Sequence, residues 1–136
     1  MNTIVLDTNI LIDHVHGFAP WVAGCLNKPE SFYLVLPTIV IAEYSSAYEL
    51  ETTSGMEKSY SYLSLFETQD LTVEIAKVLG KILRRKTYIA GASSADLIIA
   101  STALFLDARL ATRNKNHFAK IPNLRFFDPS SINNFN

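Results

Sequence analysis

With 136 residues, 49% of them hydrophobic and 18% charged, the chain is long enough for one real core and too apolar for intrinsic disorder. A net charge of −1 selects no class of partner, the single cysteine Cys25 excludes an internal disulfide framework, and no apolar run is long enough to span a bilayer. The opening MNTIVLDTN has no basic leader region, so a cytoplasmic protein built as one domain over residues 1–136 is expected.

In chain order, Thr3–Leu6 is a short apolar run that stops at Asp7 and predicts a buried strand. Asn9–His16 and Pro20–Asn27 read as short helices, and Phe32–Leu36 as a second strand closed by Pro37. Thr38 to about Leu50 is helical, with Ile41, Tyr44 or Ser45, and Tyr48 at helical spacing; Met56–Phe66 predicts a further helix. Val73–Lys86 is the clearest amphipathic helix, with Ile75, Ala76, Leu79, Ile82 and Leu83 on one face. Ser94–Leu106 reads as a mostly apolar, buried helix, and Arg109–Thr112 and Leu124–Phe127 as short strands. Apolar strands alternating with helices point to an α/β fold whose parallel sheet is covered on both faces. In such sheets, sites form outside the carboxyl ends of the strands, where Asp7 stands.

Three acids are embedded in apolar sequence. Asp7 ends the first strand, and its carboxylate is either a ligand for a hard cation or the N-cap of the next helix. Glu43 lies in TIVIAEYSSA, where a carboxylate is costly unless it is paired, metal-bound or turned to solvent. Asp96, in SSADLIIAS, is a ligand or the third helical position of a capping box opened by Ser93. If the three converge at one sheet edge, they repel one another unless a cation sits between them. Clusters of this kind hydrolyse phosphodiesters through metal-activated water. A fourth segment, ATRNKNHF, supplies Thr112 and Asn114 as groups able to orient carboxylates or metal-bound water; the alternative is a turn in which Asn114 caps a short helix. His117 in the same segment is more simply a surface or packed histidine.

Charge is unevenly placed. Residues 1–76 carry ten acidic and two basic side chains, residues 77–136 ten basic and three acidic. Arg84, Arg85 and Lys86, and then Arg113, Lys115 and Lys120, are the candidates for phosphate contacts; the alternative for the first group is a solvated helix end where cations are favoured. Tyr44, Tyr48, Tyr60, Tyr62 and Phe66 are individually core candidates, and those left exposed would form a docking groove for a partner segment or a dimer surface.

Together, IVLDTNILID, PTIVIAEY, SSADLIIASTAL and LATRNKNHF, from about Thr3 to Asp128, resemble the PIN-domain ribonucleases, and within them the VapC-type toxins of toxin–antitoxin pairs. The resemblance implies a three-layer α/β/α PIN-like fold and a metal-dependent endoribonuclease acting as a type II toxin. It maps Mg²⁺ or Mn²⁺ binding onto Asp7, Glu43 and Asp96, catalytic roles onto these with Thr112 and Asn114, and support of the site onto Thr8 and Asn9. It also implies a homodimer, an RNA substrate and a cognate antitoxin that blocks the site; that antitoxin is expected to contact the two central helices and to insert a basic side chain toward Glu43 and Asp96. One departure is the lack of a carboxylate between Asn114 and His117, where many members carry a fourth acid. That departure is the best support for a different class of function, a catalytically silent module that binds RNA or protein. A receiver-like domain using Asp7 as phosphoacceptor fits less well, because no second Asp and no lysine partner accompany it.

Overall fold

The computed structural model describes residues 1–132, so the last four of the expected domain 1–136 lie outside the described residues. The first apolar run forms strand β1 (Asn2–Leu6). Neighbouring side chains on a strand point to opposite faces, and Ile4, Val5 and Leu6 are all fully buried, so both faces of β1 are covered. Leu34, Val35 and Leu36 repeat the pattern in β2 (Phe32–Pro37). With β3 (Glu67–Gln69), β4 (Arg109–Ala111) and β5 (Arg125–Phe126) they make a parallel sheet of order β3-β2-β1-β4-β5. Val5 lies opposite Val35 on one side and Leu110 on the other.

The helices are α1 (Thr8–Val15), α2 (Pro20–Leu26), α3 (Thr38–Tyr48), α4 (Thr53–Leu63), α5 (Val73–Arg85) and α6 (Ser94–Phe105). The chain steps outward from β1 through α1 and α2 to β2, then through α3 and α4 to β3. Helices α5 and α6 carry it back to β4 on the other side of β1. Right-handed crossovers travelling in opposite directions leave their helices on opposite faces, which gives the expected α/β/α layers. Helix α6 packs across β1, β2 and β4 and buries Leu97, Ile99, Ala100 and Ala103 in the core. The direction of winding reverses between β1 and β4, the switch point at which open α/β sheets form a crevice outside the carboxyl ends of the strands.

Several expectations shift. Helix α4 starts three residues earlier than expected, because the Thr52 hydroxyl accepts from the Gly55 N–H at 2.9 Å and caps it; Phe66 consequently lies beyond the helix, buried. Strand β3 follows at once and was not expected from the sequence: Glu67, Thr68 and Gln69 form a short sheet edge with no apolar pattern. On α5 the buried residues are Ile75 and Ile82, flanked by the partly buried Val78 and Leu79. Ala76 is exposed and Leu83 is 46% exposed, so the covered stripe is narrower than the apolar pattern predicts. On α3, Val40 and Tyr44 face the core, whereas Tyr48 lies near the surface.

Candidate active site

Strand β1 delivers Asp7 to the crevice, and the same residue caps α1. Its Oδ1 accepts from the Thr8 N–H at 2.7 Å, while Oδ2 accepts from the Thr112 hydroxyl at 2.7 Å and the Asn9 amide at 3.3 Å. The residue is only 6% exposed. Burial pushes its carboxyl pKa above the ordinary 3.8; the bonds from Thr112 and Thr8 oppose that rise, and the negative charges of Asp96 and Glu43 add to it. The cap and the acidic centre are therefore one residue in two roles.

Glu43 reaches the crevice from α3. Its side chain is solvent-exposed, and its Oε1 accepts from the Thr8 hydroxyl at 2.6 Å. Thr8 thus touches two acids, Asp7 through its N–H and Glu43 through its hydroxyl. Asp96 enters from the first turn of α6 in a full capping box: its Oδ2 accepts from Ser93 N–H at 3.0 Å, and the Ser93 hydroxyl accepts from Asp96 N–H at 3.1 Å. His117 places Nδ1 3.5 Å from the same oxygen, which connects the fourth segment to Asp96.

Thr112, just past β4, is a second junction. Besides donating to Asp7, its hydroxyl accepts from the Asn114 N–H at 3.0 Å and lies 3.5 Å from the Asn9 amide. The Asn9 side-chain oxygen Oδ1 accepts from the Arg113 N–H at 3.1 Å. Asn9 and Thr112 therefore lock the β1 and β4 ends together around Asp7. Asn114 precedes the 3-10 turn Lys115–Phe118, and its side chain makes no capping bond there. Its contribution to the crevice comes through its backbone.

The basic residues do not all gather at the acids. The Arg113 guanidinium pairs with Asp13 of α1 at 3.2 Å. Asp13 is a residue the sequence reading missed, although its spacing of four from Asn9 puts both on one face of α1. The Lys115 ammonium sits over the Phe126 ring at 5.7 Å and helps hold the Asp128 carboxyl below its usual range, after the bonds from Ser130. Arg84 and Arg85 occupy the last turn of α5, and Lys86 is its C-cap, where positive charge suits the helix dipole. Lys120 is exposed.

The donors at the crevice are hard oxygens of the kind Mg²⁺ and Mn²⁺ take. Among the described residues neither Asp7 nor Glu43 has an ion-pair partner, so a buried carboxylate faces two others with no fixed positive charge between them. Equally, among the described residues no three His, Cys, Asp or Glu side chains are drawn close enough to enclose a cation. Glu43 is the exposed member of the three, held at one oxygen by the Thr8 hydroxyl.

Residues 4–124 match the family model of the PIN domain. Ribonuclease VapC19 of Mycobacterium tuberculosis is 29% identical over 130 residues, covering 89% of this chain and 96% of that protein. Among solved structures, VapBC2 from Rickettsia felis bound to a promoter DNA fragment superposes with a TM-score of 0.73 at 26% identity, covering 92% of this chain and 97% of the other. A toxin–antitoxin complex from Klebsiella pneumoniae gives a TM-score of 0.66 at 25% identity, covering 93% and 97%.

Proposed function

Because the chain belongs to the PIN-domain family, we propose that it is a metal-dependent endoribonuclease acting as the toxin of a type II toxin–antitoxin pair. The observation that supports this reading best is buried Asp7 at the carboxyl end of β1, sharing Thr8 with Glu43 and feeling the negative charges of Asp96 and Glu43, with no ion-pair partner of its own among the described residues. The name of the mycobacterial relative and the family match supply the reaction class.

Asp7, Glu43 and Asp96 would hold Mg²⁺ or Mn²⁺, which when bound polarises the scissile phosphate and acidifies a water. Thr112 and Asn9 hold the Asp7 carboxylate in place, the Thr112 bond also opposing the rise in its pKa, while Thr8 tethers one oxygen of Glu43 and Ser93 fixes Asp96. Thr8 bonds only one oxygen of Glu43, and the other is suited to take the proton of the attacking water. Arg113, held beside Asn9 by Asp13, is the basic side chain best placed to meet an incoming RNA phosphate. The protein works in the cytoplasm as a homodimer and is silenced by an antitoxin, a reading supported by the relative solved as a toxin–antitoxin complex. The antitoxin lies along α3 and α4, where Tyr60 is 77% exposed and Tyr44 stacks with both Tyr48 and Tyr62; Phe18, also 77% exposed, stands in the turn after α1 and is linked to Tyr48 through the His16 ring. It directs a basic side chain at Glu43 and Asp96.

A silent binding module of the same fold is the second reading, favoured by Asn114, Asn116 and His117 standing where a fourth acid would complete the cluster. Digestion of total RNA separates the two. Wild type is expected to cut with Mg²⁺ or Mn²⁺ and not with chelator, and Asp7→Asn not at all. Equal behaviour of the two proteins, or RNA binding without cutting under either metal, would replace the nuclease with the binding module.

A further inference from the structure

Residues 77–95 contain Lys77, Lys81, Arg84, Arg85 and Lys86 and no acid. Where this stretch meets the turn after the 3-10 segment, α5 and α6 leave a cleft of about 410 Å³ rimmed by Lys81, Arg85, Thr87 and Asn123. Ile82, Leu104 and Pro122 give it an apolar lining. Among the described residues neither Lys81 nor Arg85 pairs with an acid. A cleft of this size lined by apolar side chains with a few polar groups is the usual form of a small-ligand site, and its charge selects an anion.

We propose that this cleft binds one nucleotide of the RNA substrate, its phosphate on Lys81 and Arg85 and its base against the apolar lining, a few nucleotides from the scissile bond. The inference rests on the ribonuclease reading above. Placement supports it. Leu104 lies eight residues after Asp96 on α6, about 12 Å along the helix axis at 1.5 Å per residue. Pro122 follows His117 by five residues and is at most about 18 Å from it along the chain. One RNA strand can therefore touch both the acidic crevice and the cleft. An unstacked base is commonly held between apolar side chains and read at its edge by hydrogen bonds, and Thr87 and Asn123 carry the required donors and acceptors.

The test measures binding of single-stranded RNA to the intact protein in chelator, where cutting is blocked, across a salt series. Lys81→Glu/Arg85→Glu is compared with Lys77→Glu/Arg84→Glu, the same charge change on the same helix at residues that do not line the cleft. The cleft pair is expected to weaken binding about tenfold more than the control pair. Lys81→Ala/Arg85→Ala should lower the salt slope by about one, as loss of a single phosphate contact requires. In parallel, a nucleoside 5′-monophosphate should perturb the NMR signals of Thr87 and Asn123 at concentrations where inorganic phosphate does not. Equal losses from the two charge-reversed pairs, or equal perturbation by inorganic phosphate, would overturn the nucleotide site while leaving the nuclease intact. Wild type that binds no RNA would remove the ribonuclease reading itself and the cleft's role with it.

Discussion

Among the residues at the crevice, Thr112 has the most to lose. Its hydroxyl gives Asp7 a 2.7 Å hydrogen bond in a buried setting and receives another from Asn114. Thr112→Val keeps the shape and deletes the hydroxyl, leaving Asp7 short of a donor at a cost of about 1–3 kcal/mol. Because this bond lowers the Asp7 pKa against the pull of burial, its loss raises that pKa further. The acidic limb of the RNA-cleavage pH profile is then expected to move to higher pH, and Thr112→Ser to restore it. An unmoved limb in Thr112→Val would show that Asp7 ionisation does not govern the reaction. Asp7 stands out in the sequence because it ends an apolar run, and Glu43 and Asp96 because each is a lone charge in apolar surroundings. Asp13 carries no such mark: on a half-polar helix it looks like any surface acid, and only the fold brings Arg113 to within 3.2 Å of it.

At the scale of elements, two glycines in helices have opposite meanings. A Cβ on Gly55 would come within 2.6 Å of the Leu50 Cβ and 2.7 Å of the Leu50 carbonyl oxygen, whereas one on Gly80 would meet nothing within 4 Å. Gly55→Ala is therefore expected to destabilise by about 1–3 kcal/mol through overpacking. Gly80→Ala, in exposed helix interior, should stabilise by about 0.5–1 kcal/mol. Urea unfolding of both variants checks the pair, and Gly55→Ala with unchanged stability would mean that the turn before α4 gives way freely. Nothing in the sequence separates these glycines, since the distinction lies in how the chain from Glu49 to Thr52 folds back on α4. Elements were legible where burial leaves an apolar mark, as continuous runs in β1, β2 and α6, which are covered on most sides, and as a helical stripe in α5. Strand β3 was not, because an exposed three-residue edge needs only backbone pairing to β2. The start of α4 was missed because its Thr52 cap lies among other polar residues.

For the molecule as a whole, a cation held at the acidic crevice, as proposed above, would couple metal binding to folding. Folded Asp7 keeps its proton to higher pH than the unfolded chain, whose reference value is 3.8, so proton uptake favours the folded state below that pH. This stabilisation is lost as pH rises through the folded value, and at neutral pH the buried, ionised Asp7 opposes folding. Asp7→Asn removes that charge, so in chelator at pH 7 the variant is expected to melt at or above the wild-type temperature. A cation bound only by the folded state reverses the order, since it stabilises by about 2.7 kcal/mol at one hundred times its Kd. Mn²⁺ should therefore raise the wild-type Tm by several degrees and leave Asp7→Asn almost unmoved. Mn²⁺ shifts of equal size in the two proteins would place the cation elsewhere. A variant that melts well below wild type in chelator would show that Asp7 stabilises the β1–β4 junction more through its bonds to Thr8 and Thr112 than its charge costs.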